Sequence, residues 1–134
     1  TGSLGNVVGI AAGTALNAKL NGVDYLSYAI IGDGECEEGS IWESLRFASD
    51  HKLGNLIVIV DRNKLSVTDV VDDKWLGSKF VSFGCHIVKD VDGHSFSSLL
   101  SVFKNVCTPP MGDKPIRVKG CPLGRVIQNG IMQY

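Results

Sequence analysis

Six consecutive residues, Leu56-Ile57-Val58-Ile59-Val60-Asp61, restrict the fold more than any other part of the chain. The run is β-branched, short and apolar on both faces, which predicts a strand buried from both sides. Parallel sheets meet that condition, because their crossover helices lie over both faces. The remaining periodicities agree. Residues 6–20, rich in Ala and Gly, predict a helix ended by Asn21-Gly22, with Gly9 and Gly13 spaced for close packing. Residues 25–31 form an apolar run bounded by turns, as a buried strand does. Residues 38–52 carry Ile41, Trp42, Leu45 and Ala48 near helical spacing. Further helices are expected at 74–82 and 95–106, and further strands at 86–91 and 114–119. This alternation predicts an α/β domain, a mainly parallel sheet flanked by helices.

Composition narrows the function classes. The 134 residues are 44% hydrophobic and 20% charged, enough to bury a core. With 13 basic and 14 acidic side chains the net charge is −1, which argues against a nucleic-acid or membrane-surface binder. No apolar run approaches the roughly 18 residues of a membrane helix. Cys36, Cys85, Cys107 and Cys121 form no C-x-x-C pair, and His51, His86 and His94 complete no zinc spacing. Reduced thiols of a cytoplasmic protein are expected. Thr1 opens the chain inside a Gly-rich motif, so a cut or unrecorded start is expected. Residues 120–134 show turn residues without a clean period and receive no assignment.

In open α/β sheets, ligands bind beyond the carboxyl ends of the strands. One such end is Gly32-Asp33-Gly34, directly before a helix; another is Asp61-Arg62-Asn63. Glycines let backbone approach a ligand closely, and a helix start offers N–H groups to an anion such as phosphate. Asp33 and Asn63 offer oxygen ligands suited to Mg²⁺ or Ca²⁺, with room left for phosphate oxygens and water. The 28 residues between Gly34 and Asn63 hold one helix and one strand. That makes a βαβ unit whose two strand ends are neighbours. Taken alone, a Gly-Asp-Gly turn is a weak signal.

The surrounding residues raise it. Gly-Asp-Gly, this spacer and a terminal Asn form the thiamine-diphosphate fingerprint. TGSLGN, GDGECEEGSIWESLRFAS and KLGNLIVIVDRNKLS resemble transketolase, particularly the animal type, and FGCHIVKDVDGHS is similar to the segment that follows. The likeness extends over residues 1–119, a module incomplete at its N-terminus. It implies a partial thiamine-diphosphate-binding fold. It implies thiamine diphosphate and Mg²⁺ (or Ca²⁺) as cofactors, with Asp33, Asn63 and the Leu65 carbonyl as metal ligands. Gly32 and Gly34 match glycines beside the diphosphate, and Gly2 and Leu4 match a loop touching the aminopyrimidine. Glu38 and Glu43 match glutamates of a network across the dimer interface. The implied reaction moves a two-carbon ketol unit from a ketose phosphate to an aldose phosphate.

Other residues have plainer roles. Glu35 and Glu37 are expected to interact with a helix dipole, at about 0.3–1 kcal/mol each. Asp61 fits a strand-end turn and His94 a turn, while His51 and His86 look structural. Cys36 has acidic neighbours, which raise a thiol pKa. The chain also departs from the family. The family segment before TGSLG, with its substrate- and cofactor-contacting His and Lys, and the pyrimidine-binding domain, with the glutamate that bonds the aminopyrimidine, lie outside these 134 residues. VKGCPLGRVIQNG replaces the K-T-x-K-G-x-G stretch, and Val7 stands at a usual glycine. The expected partner is therefore a pyrimidine-binding domain on the same or another chain, in a homodimer or heterotetramer, and this chain alone is expected to be inactive. Apolar faces around Ile41 and Trp42 are expected to need covering. A deoxyxylulose-phosphate synthase-like module and a non-catalytic remnant or assembly partner are the other readings.

Overall fold

The structure, a computed structural model, describes residues 2–63, 75–107 and 125–129. Four strands form one sheet: β1 (Ser27–Gly32), β2 (Leu56–Asp61), β3 (His86–Val91) and β4 (Arg125–Asn129), in the order β1-β2-β4-β3. Every neighbouring pair is parallel. The Leu56–Asp61 run lies inside the sheet, between β1 and β4, as its two apolar faces require. The α/β expectation is met.

Two cores lie on the two sides of that run. On one side Leu56, Val58 and Val60 join Ala29 and Ile31 of β1 in the larger core. Helices α1 (Val7–Asn21), α2 (Gly39–Asp50) and α3 (Leu76–Ser82) close it, contributing Val8, Ala11, Ala15, Ile41, Leu45 and Phe80 among others. On the other side Ile57 is packed with Ile59, Val88 and Val91, and with Leu99 and Val102 of α4 (Phe96–Cys107). The alternation of one strand thus serves both layers.

Helix α1 meets the sheet through alanines, whose small size lets the backbones approach. Two polar groups secure it: the Ser27 hydroxyl donates to Ala11 O at 2.9 Å, and Asn55 Nδ2 donates to Ala15 O at 2.9 Å. Its end is the expected glycine, Gly22 in the left-handed region at φ +64°. The Gly9–Gly13 pair divides in role. A Cβ on Gly9 would lie 3.1 Å from Ser44 Oγ on α2, whereas one on Gly13 would meet nothing within 4 Å. Of the two, Gly9 is the packing glycine among the described residues.

Some expectations need correction. The face around Ile41 and Trp42 is covered: Ile41 is fully buried, and the Trp42 ring packs on Phe80 and Phe83 at centroid distances of 5.2 and 5.4 Å. Exposed apolar side chains lie elsewhere, at Ile10 and Leu20 of α1, Ile30 of β1, and Phe96 of α4. The predicted strand at 114–119 lies outside the described residues. The fourth observed strand, β4, falls within the unassigned stretch 120–134, where a five-residue run between turn residues gave too short a pattern to recognise.

Candidate functional site

The site is built from the carboxyl ends of β1 and β2. The register pairs Ser27 with Leu56 and continues in step to Gly32 with Asp61, so both strands stop at the same level. One more ladder bond follows, as the Asp33 N–H donates to Asp61 O at 3.0 Å. Asp33 therefore begins where the sheet ends. It is 2% exposed, and its carboxylate accepts from the Gly34 N–H at 3.0 Å. Asn63, half-buried, lies two residues beyond the end of β2. The topology thus brings Gly32, Asp33, Gly34 and Asn63 to one sheet edge. Leu65 lies outside the described residues.

A 3₁₀ turn, Gly34–Glu37, separates Gly-Asp-Gly from α2, so the helix does not start directly at the motif. The turn is secured from below. The Cys36 thiol, buried, lies 3.5 Å from Gly32 O, and the Trp42 indole N–H donates to Cys36 O at 2.8 Å. Cys36 is thus a structural thiol under the turn.

The Glu35 expectation also changes. Its carboxylate accepts from the Gly5 N–H at 2.8 Å, a contact across 30 residues, rather than serving only a helix dipole. No periodicity signals such a contact, because it depends on how α1 packs on α2. Gly2 and Leu4 belong to the same first loop. Gly2 is exposed at φ +72°, and Leu4 is exposed in a turn closed by Asn6 N–H donating to Ser3 O at 3.0 Å. Glu38 and Glu43 do not join the strand-end cluster. Both are exposed at the start of α2, and neither side chain has a hydrogen bond or ion pair among the described residues. In the turn after β3, the carboxylate of Asp92 accepts from the His94 N–H at 2.9 Å.

Asp61 stands at the end of β2, as a strand-end residue should. Its Oδ1 is buried with no hydrogen-bond partner among the described residues, and its backbone is paired to Asp33. A buried carboxylate oxygen without a donor is costly unless a positive charge is near. At the same sheet edge the Asp33 carboxylate and the Asn63 amide are oxygen donors, one anionic and one neutral, which fits a hard divalent cation and the phosphate oxygens it would carry. Among the described residues no three His, Cys, Asp or Glu side chains converge as a metal cage. A site using one carboxylate, one amide and a backbone carbonyl is of a different kind.

Residues 1–125 match the family model described as transketolase, thiamine diphosphate binding domain. The chain belongs to the transketolase family. Among curated relatives it is 41% identical over 108 residues to transketolase of Pongo abelii, covering 77% of this chain and 17% of that protein. It is 30% identical over 110 residues to an apulose-4-phosphate transketolase subunit of Phocaeicola vulgatus, covering 79% of this chain and 39% of that relative. A transketolase structure from Pichia stipitis superposes with a TM-score of 0.69 over 94% of this chain and 18% of its own, at 24% identity, and supports the fold. The chain therefore spans under a fifth of the Pongo abelii transketolase and about two fifths of the Phocaeicola vulgatus relative. Its share of the family is the thiamine diphosphate-binding domain.

Proposed function

We propose that the chain is the diphosphate- and Mg²⁺-binding module of a transketolase-like enzyme. The observation that carries this reading is the level pair of strand ends, with Asp33 buried between Gly32 and Gly34 and bonded to the Asp61 backbone. Asp33 and Asn63 would hold the metal, joined by the Leu65 carbonyl, and the glycines would admit the diphosphate. Gly32 supports this assignment, because a Cβ there would meet nothing within 4 Å among the described residues. The backbone at Gly32 is therefore open on that side, as a diphosphate lying close to it would need. The first loop, with Gly2 and Leu4, would touch the aminopyrimidine.

Thiamine diphosphate, when bound, supplies the carbanion chemistry that moves a two-carbon ketol unit from a ketose phosphate to an aldose phosphate. The contribution of this chain is to bind and orient it. The residues that would act on its pyrimidine end belong to a second domain, on the same chain or a partner chain, in a homodimer or a heterotetramer. Three observations support a partner. The Phocaeicola vulgatus relative is named as one subunit of its enzyme. Helix α1 leaves Ile10 and Leu20 exposed although its other face is buried against the sheet, and such a helix suits a larger assembly. The carboxylates of Glu38 and Glu43, exposed and unpaired among the described residues, are available to an interface network. A cytoplasmic location accords with the free thiols Cys36 and Cys85.

The purified chain is expected to show no ketol transfer with any ketose phosphate and aldose phosphate pair, even with thiamine diphosphate and Mg²⁺ at saturation. A coupled aldose-release assay checks this. Turnover by the chain without a partner would contradict the division of labour proposed.

A further inference from the structure

The Gly5 residue is held at both polar groups by side chains that follow the Gly-Asp-Gly turn. Its N–H donates to Glu35 Oε1 at 2.8 Å, and its carbonyl accepts from Ser40 Oγ at 2.8 Å. Glu35 lies in the 3₁₀ turn directly after Gly34, and Ser40 lies in the first turn of α2. Gly5 is buried at φ +78°, a conformation glycine adopts without strain. A Cβ there would lie 2.5 Å from Ser40 Oγ and 3.1 Å from Glu38 Cβ. One helical turn further on, the pattern repeats: Gly9 faces Ser44, whose hydroxyl donates to Ser40 O at 2.7 Å. A ladder of two glycines and two serines therefore seats the start of α1 on the start of α2, and Glu35 closes it at the end nearest Asp33.

We propose that Glu35, with Ser40, is a positioning residue that locks the first loop to the Gly-Asp-Gly turn and so fixes the distance between the two ends of the cofactor site. This rests on the functional reading above, in which the loop meets the aminopyrimidine and the turn meets the diphosphate. A half-buried carboxylate accepting from a backbone N–H forms one of the stronger kinds of hydrogen bond. Both polar groups of one residue are held, so Gly5 can neither rotate nor lift away while the pair is intact. The loop is then ordered before the ligand arrives, and that ordering is not charged against binding.

The test compares Glu35→Ala, Glu35→Gln and Ser40→Ala with the unaltered chain. Hydrogen exchange at the Gly5 amide reads the lock without any ligand, and Glu35→Ala is expected to speed it at least about tenfold while Glu35→Gln, which keeps an acceptor, does so less. With Mg²⁺ present, Glu35→Ala is expected to weaken thiamine diphosphate about tenfold and inorganic diphosphate less than about twofold. Ser40→Ala is expected to act in the same direction, and Glu35→Gln to restore most of the affinity. Equal weakening of both ligands, or of neither, overturns the positioning role, as does a Gln variant as weak as the Ala one. If the unaltered chain binds neither ligand, the functional reading fails, and the lock is still decided by the Gly5 exchange rate.

Discussion

Asp33→Ala is expected to abolish Mg²⁺-dependent binding of thiamine diphosphate in any assembly competent to bind it. The carboxylate is buried at the sheet edge and set by the Gly34 N–H, so no solvent-exposed side chain can replace it. Removing one member of a buried charge pair costs about 3–5 kcal/mol. At about 1.4 kcal/mol per factor of ten, affinity falls at least about a hundredfold. Asp33→Asn separates charge from shape, since the amide oxygen can still accept from Gly34 N–H; it is expected to fold and still to lose the metal. Calorimetric titration at fixed Mg²⁺ reads both variants. Binding unchanged in either would remove Asp33 from the site.

Trp42→Ala carries the largest expected loss of stability. The indole packs on Phe80 and Phe83 and donates to Cys36 O at 2.8 Å. Deleting a large aromatic side chain from packed surroundings costs about 3–5 kcal/mol, against a total of about 5–15 kcal/mol for an ordinary domain. The residual chain is expected to melt broadly or not to purify folded. Trp42→Phe keeps most of the ring contact and loses the hydrogen bond, leaving Cys36 O to find another donor. Its cost is expected to be about 1–3 kcal/mol. Urea unfolding followed by circular dichroism reads the two. An alanine variant as stable as the parent would show that the layer under the Gly-Asp-Gly turn is not held by this side chain.

The fold was legible in the sequence where local pattern and tertiary demand coincide. Leu56–Asp61 could only be an inner strand, and its partner β1 followed from the spacing of the two motifs. Glu35 was not legible, because the contact with Gly5 spans 30 residues and depends on α1 seating on α2. Trp42 was placed on the correct helix but assigned to an open face, since a helical period does not show what lies opposite; here Phe80 and Phe83 do. Asp61 sits at the strand end its residue type suggests, and only the packed structure shows that its Oδ1 is buried without a hydrogen-bond partner among the described residues. The strand at Arg125–Asn129 has little β signal of its own and is specified by neighbours on both sides, β2 and β3. The motif alone points to Asp33 and Asn63 as candidates, while the side chains that hold the turn in place, Glu35 and Trp42, emerge only from packing.

If this chain by itself holds the diphosphate and metal end of the cofactor, thiamine diphosphate titrated into the unaltered chain should bind saturably with Mg²⁺ present and not without it. Inorganic diphosphate should displace it, and Asp33→Ala should not bind it. Binding of equal strength without Mg²⁺, or none with it, would show that the strand-end site is not the cofactor anchor.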